Sequence, residues 1–240
     1  MLRDQRLSES RMTIGEVCMS SSWIMNLVNV RLSLRTTLLA IALAAPSPVQ
    51  SAETATVSQQ DLQRKLVYCK TCHGLAAEGF RGSIPMPRLA GQQSEYLENQ
   101  LQAFIDGRRK NKFMFTVAKV LSPAMRTALA VHFENLDPET VGGAPRGLVG
   151  AGKKIYEEGV PDSNIPPCSS CHGADAQGGA AVPRLAGQLY DYTFKTLMNW
   201  SKERGQDPAD PDSSAVMKPI AGSLTETQIL AVAAYLGDLK

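Results

Sequence analysis

Cys69-Lys70-Thr71-Cys72-His73-Gly74 and Cys168-Ser169-Ser170-Cys171-His172-Gly173 decide how this chain is read. Each stretch sets two thiols three positions apart, with an imidazole directly after the second. Each is followed by the same hexapeptide, Pro87-Arg88-Leu89-Ala90-Gly91-Gln92 in the first case and Pro183-Arg184-Leu185-Ala186-Gly187-Gln188 in the second. The first pair of motifs is offset by 99 residues and the second by 96, so the first copy carries three extra residues between its motifs. Tyr96, Leu101, Phe104 and Arg108 match Tyr192, Leu197, Trp200 and Arg204 at the same offset of 96, and Met114 and Leu121 match Met217 and Leu224 at 103. Ordered matches with small insertions mean a duplicated domain of about 90 residues. The turn formers Val141-Gly142-Gly143-Ala144-Pro145 are the natural linker, which puts the domains at 53–141 and 142–240.

Each copy reads as helical. Leu97, Leu101, Phe104 and Ile105 fall on one helix face, and Phe194, Leu197 and Met198 repeat the pattern in the second copy. Ser122 with Pro123 starts a last helix in copy one, and Thr225 with Gln228 three residues on forms a capping box in copy two. The apolar face of that final helix is Ile229, Val232, Ala233, Leu236 and Leu239. No segment alternates with period two, so the expected fold class is all-α, with three or four short helices per domain. Such a small domain makes a thin core, and at 6% aromatic residues this one calls for apolar bulk from elsewhere.

The cysteine spacing supplies a source. Two cysteines three positions apart can each add a thiol across one vinyl group of a single porphyrin, leaving the adjacent histidine under the iron; the product is a covalent c-type haem. A zinc ribbon would bring its two Cys-x-x-Cys pairs within about 15–20 residues of each other, far closer than these. A thioredoxin-type pair needs a βαβ setting, which is missing. The reading is therefore two haems, held by Cys69, Cys72, Cys168 and Cys171, with His73 and His172 as proximal ligands. The other ring N–H of such a histidine is usually donated to a fixed carbonyl, and the proline loops near Pro87 and Pro183 are placed to offer one. His132 aligns with Tyr235 inside the last helix and reads as a packing residue. For the sixth position the matched pair Met114 and Met217 is the candidate, a thioether suited to low-spin iron. Met86 and Met125 are the rivals in copy one, and neither has a methionine counterpart in copy two.

Outside the repeat, Arg31 and Arg35 precede the apolar run Leu38–Ala45, and the small-residue stretch 49–52 follows. That is the order of a secretory signal peptide. Residues 1–52 are therefore expected to be an N-terminal extension plus signal, with Met25 an alternative start and cleavage near Ser51 or Ala52. Its removal takes Cys18 and leaves four cysteines, with twenty basic and twenty acidic residues. The whole chain of 240 residues has a formal charge of +2, which gives no reason to expect nucleic acid as a partner. No apolar run reaches the roughly 18–20 residues of a membrane span. The two copies differ in their loops. Copy one has Arg108-Arg109-Lys110-Asn111-Lys112 ahead of Met114, whereas copy two has Asp207, Asp210 and Asp212 ahead of Met217. These are either solvated loops or opposite fields that select donor and acceptor.

On its duplicated CxxCH, its duplicated PRLAGQ, its two methionines and the terminal Ala234-Tyr235-Leu236, the chain resembles the di-haem cytochromes c of the cytochrome c4 family over nearly all of residues 60–240. The resemblance implies two tandem class I cytochrome c domains related by pseudo-twofold symmetry, His/Met ligation in both, and an electron carrier of the periplasm of a Gram-negative bacterium rather than an enzyme. The partners it implies are redox proteins: a quinol–cytochrome c reductase, a terminal oxidase or a dehydrogenase. Peripheral membrane association and oligomeric state stay open. Similar domains serve as electron-accepting subunits of dehydrogenases, the alternative reading; a di-haem peroxidase or thiosulfate-oxidising enzyme would need an open or unusually ligated haem. Copy one departs from the pattern around Ile84-Pro85-Met86 and at Val131-His132-Phe133.

Overall fold

The computed structural model describes residues 56–204 and 214–240. The leader segment and the acidic loop with Asp207, Asp210 and Asp212 lie outside the described residues. Ten α-helices occur among those described: α1 (Gln59–His73), α2 (Ser94–Ile105), α3 (Lys112–Ala118), α4 (Pro123–Glu134), α5 (Arg146–Glu158), α6 (Ser169–His172), α7 (Tyr190–Met198), α8 (Trp200–Glu203), α9 (Ser214–Ser223) and α10 (Glu226–Asp238). Extended pairing among them is limited to isolated bridges, so the all-α expectation holds.

Local chemistry explains the boundaries. Ser58, Asn111, Ser122 and Thr225 each accept a hydrogen bond from the backbone N–H three residues on, satisfying a donor at the start of α1, α3, α4 and α10. The box between Thr225 and Gln228 is complete in both directions. The two cysteine motifs are delivered differently. In the first half α1 runs unbroken into His73. In the second, α5 stops at Gly159 (φ +74°), and Pro161, Pro166 and Pro167 keep the chain out of a continuous helix until the single turn of α6 carries the motif. The three extra residues of copy one enlarge a small hairpin: Phe80 pairs with Met86, where copy two pairs Gly179 with Val182.

Two cores form. Leu66, Ala77, Ala90, Leu97, Leu121, Met125, Leu129, Ala130 and Phe133 make the first. Tyr156, Ala176, Ala186, Val232, Tyr235 and Leu236 make the second. Two expectations about faces need correcting. Met198 is exposed, because α7 ends there and its packing side is carried by Thr193 and Leu197. The final helix is not amphipathic in the expected sense: Ile229 and every residue from Ala231 to Gly237 are buried, since α5 covers one side and α7 another.

Candidate functional site

From the histidine onward, the turn is built in the same way in the two halves. Gly74 (φ +91°) and Gly173 (φ +83°) end the helix directly after the histidine, in a backbone region closed to side chains with a Cβ. The chain then folds back so that Gly79 N–H donates to His73 O at 2.7 Å and Gly178 N–H to His172 O at 2.9 Å. The imidazoles are 7% and 6% exposed. His73 Nδ1 lies 2.9 Å from Pro87 O and His172 Nδ1 lies 3.1 Å from Pro183 O. A carbonyl can only accept, so Nδ1 carries the proton and Nε2 is the free lone pair. Burial pushes both histidine pKa values down, the Pro carbonyls opposing it, which favours the neutral, ligand-competent ring.

Five of the six positions of the PRLAGQ hexapeptide have a matched task in both halves. The proline carbonyl fixes the histidine. The arginine folds back on its own loop, Arg88 Nε donating to Ala90 O at 3.0 Å and Arg184 Nε to Ala186 O at 3.1 Å. The alanines are buried and bond to the motif turn, Ala90 N–H to Ala77 O and Ala186 N–H to Ala176 O, both at 3.0 Å. Gly91 and Gly187 adopt positive φ and dock the loop on the last helix of their own half, through Phe133 O and Leu236 O. The glutamines do something the sequence reading missed: each reaches into the other half. Gln188 Oε1 accepts from Arg88 N–H at 2.9 Å and its Nε2 donates to Arg88 O at 3.1 Å. Gln92 Oε1 accepts from Arg184 N–H at 2.8 Å and its Nε2 donates to Arg184 O at 2.9 Å.

A continuous cavity of about 890 Å³ opens between these elements and takes walls from both halves. Cys69, His73, Cys168, Cys171 and His172 line it, and so do Met114 from α3 and Met217 from α9. Cys72 is partly buried beside His73 but is not part of that lining. Neither cysteine pair is joined as a disulfide. Before any attachment, burial would push the Cys69 and Cys168 thiols up to about 11. Met86 also lines the cavity, one residue from the carbonyl that holds His73. Met125 is instead packed in the first core, and neither it nor His132 lines the cavity. No group of three or more His, Cys, Asp or Glu among the described residues is arranged to hold a metal ion by itself.

Where the halves meet, the cavity wall is cationic and aromatic. Arg109 stacks 4.5 Å from the Phe104 ring and donates to Gln100 Oε1 and Tyr192 Oη at 2.8 and 2.7 Å. Arg204 stacks 4.8 Å from the Trp200 ring and donates to Tyr96 Oη at 3.1 Å and to Tyr192 Oη at 3.2 Å. The spatial counterpart of Arg204 is therefore Arg109, not the Arg108 that constant spacing suggests, and the two pair across the interface. Burial and the neighbouring charge of Arg204 both disfavour the Arg109 cation. Burial would raise the Tyr192 phenol, but the guanidiniums of Arg109 and Arg204 bring it down to about 8.

The basic run ahead of Met114 is thus not one exposed patch. Arg109 is inside, Arg108 is paired with Asp106 at 2.9 Å, and Lys110 and Lys112 are exposed. Exposed charges act over about one Debye length, roughly 8–10 Å at moderate salt, so they steer encounter more than they hold a complex. Reversing Lys110 and Lys112 to Glu is expected to slow electron exchange with an acidic partner about tenfold at low ionic strength, the difference vanishing as salt rises. Stopped-flow rates across ionic strength check it, and equal rates at low salt would leave these lysines as solvated surface.

A cytochrome c family model matches residues 149–240. Cytochrome c4 of Thiocapsa roseopersicina is 35% identical over 72% of this chain and 87% of its own length. The thiosulfate dehydrogenase electron acceptor of Thiomonas intermedia is 36% identical, over 70% of this chain and 76% of its own. The solved structure of cytochrome c4 from Acidithiobacillus ferrooxidans superposes with a TM-score of 0.59 at 35% identity, covering 71% of this chain and 98% of that one. With the helical halves, the paired cysteine-histidine turns and the shared cavity, these likenesses make the fold two tandem cytochrome c domains, the cofactors two covalent c-type haems and the activity electron transfer: the chain belongs to the cytochrome c4 family.

Proposed function

We propose that this chain is a periplasmic electron carrier whose two domains, 53–141 and 142–240, each hold one six-coordinate haem. Cys69 and Cys72 attach the first and Cys168 and Cys171 the second. His73 with Met114, and His172 with Met217, would be the protein ligands to the two irons. The observation that carries this reading is the single cavity onto which both histidines, with ordered Nδ1–H donors, and both matched methionines open. The wall also suits the group. It is mostly apolar, while the buried Arg204 and the partly buried Arg109, Tyr96 and Tyr192 could donate to carboxylate substituents. Met86 is tied to the histidine side through Pro87, so Met114, coming from α3, is the better candidate for the other face.

Bound haem supplies a one-electron couple, and a methionine ligand raises its potential. The chain does the rest. Proline carbonyls fix the imidazole rings, the cores exclude water, and two ligands from the protein leave no coordination position for a substrate. That favours a carrier over an enzyme. The similarity to a thiosulfate dehydrogenase electron acceptor favours a dehydrogenase as the donor, with a terminal oxidase or another carrier as acceptor.

Acid–acetone treatment is expected to leave the colour on the protein, and a pyridine haemochrome assay should count two haems per chain. One haem, or extractable haem, would overturn the reading.

A further inference from the structure

The peptide unit between Pro87 and Arg88 is held at both ends. Its oxygen accepts from His73 Nδ1 at 2.9 Å, and its N–H donates to Gln188 Oε1 at 2.9 Å. The unit between Pro183 and Arg184 is held in the same way, its oxygen by His172 Nδ1 at 3.1 Å and its N–H by Gln92 Oε1 at 2.8 Å. Each glutamine therefore touches the one peptide group that anchors the histidine of the opposite half. Most of the network is shielded from water: Arg88, Gln92 and Gln188 are 3%, 6% and 8% exposed, and Arg184 is partly buried. Each glutamine oxygen is also set in place by its own half, through Leu189 N–H and Gln93 N–H, both at 3.0 Å.

We propose that Gln188 and Gln92 are positioning residues that tune the two irons crosswise, each setting the proximal histidine of the other half. The physics is polarisation. An amide that donates through its N–H becomes a better acceptor at its oxygen, and in a buried chain of hydrogen bonds the effect is cooperative. A stronger acceptor draws the proton on Nδ1, makes the imidazole a more basic ligand and favours the oxidised iron. The docked interface thus lowers both potentials, and any partner that loosens it raises them. The proposal rests on His73 and His172 being the proximal ligands.

The test uses the full holoprotein with Gln188→Met and, separately, Gln92→Met, which keep the length of the side chain and drop both hydrogen bonds to the other half together with the one to its own. Potentials are read for each haem by NMR-monitored redox titration with the haem methyl signals assigned to their halves. The exchange of each histidine Nδ1–H is read in the reduced protein. Gln188→Met is expected to shift the reduction equilibrium of the His73 iron about three- to tenfold toward the reduced form, tenfold being about 59 mV for one electron. It should also speed exchange of the His73 proton at least tenfold, with His172 and its iron nearly unmoved. Gln92→Met should do the reverse. Shifts confined to the glutamine's own half, equal shifts in both, or none would overturn the coupling. Each variant tests the crossing alone if the other fails to accumulate. Fewer than two haems in the unsubstituted protein would overturn the ligand reading instead, whereas two haems with uncrossed potentials overturn only the coupling.

Discussion

Met217→Ala is expected to leave both haems attached while stripping one iron of its sixth ligand. The weak sulfur-to-iron charge-transfer absorption of the oxidised protein should fall by about half, and carbon monoxide should bind half of the reduced haem. The effect is large because axial ligands spread haem potentials over about 0.8 V, and the thioether is the ligand that raises them. Met217 sits on α9, which is tied to the rest of its half by Trp200 Nε1 donating to Ser214 O at 3.2 Å and by the buried Ala221. Truncating the side chain should therefore remove the proposed ligand while leaving the helix in place. Met114→Ala should produce the same change at the other haem. If Met86→Ala does so while Met114→Ala leaves the spectrum unchanged, the first haem is ligated from the enlarged hairpin. A carbon monoxide complex in the unsubstituted protein would revive the reading of an open, enzymatic haem.

What was legible in the sequence is what repeats locally. The CxxCH turns, the prolines that anchor the histidines, the caps at Ser122 and Thr225 and the apolar face of α2 each rest on interactions within a few residues, or on a pattern that recurs. The less legible features depend on the other half of the molecule or on the crossing of two helices. In the sequence Gln92 and Gln188 are only the last residues of a repeated hexapeptide, and nothing within one copy shows that their partners are the backbone of the other. Constant spacing selected Arg108. The turn at Gly107 (φ +76°), however, brings Arg109 onto Phe104, because a guanidinium stacked on a ring and bonded to Tyr192 outweighs register. The burial of α10 on nearly every side was hidden for a similar reason. Small residues such as Ala231, Ala233, Ala234 and Gly237 carry little hydrophobic signal, yet they are what allows α5 and α7 to come close.

That close approach has a measurable consequence at Gly152, in the middle of α5. A Cβ placed there would overlap Ala231 O and come within 2.6 Å of Ala231 C and 2.8 Å of Tyr235 Cβ. Two of these three atoms belong to the backbone of α10, which cannot turn aside as a side-chain tip does. Tyr235 is itself pinned against Tyr156, whose ring is fully buried and whose hydroxyl donates to Gly173 O at 2.6 Å. Gly152→Val must therefore push α5 off α10, at a cost of about 3 kcal/mol or more by the measure of overpacked cores. Against a total stability of about 5–15 kcal/mol, that is enough to lower the denaturation midpoint of the second half sharply. Because α5 leads to the Cys168 motif and α10 receives Gly187 of the PRLAGQ loop, the variant should also lose the methionine ligation of the second haem before that of the first, with both haems still covalently attached. Gly150 lies on the same helix with open space around its Cβ position. Gly150→Ala should then stabilise the chain by about 0.4–1 kcal/mol through the unfolded state alone. Urea unfolding followed by far-UV circular dichroism and by the sulfur-to-iron absorption of the oxidised haems checks both. Equal midpoints for Gly152→Val and Gly150→Ala would show that the α5–α10 crossing is not closed by glycine.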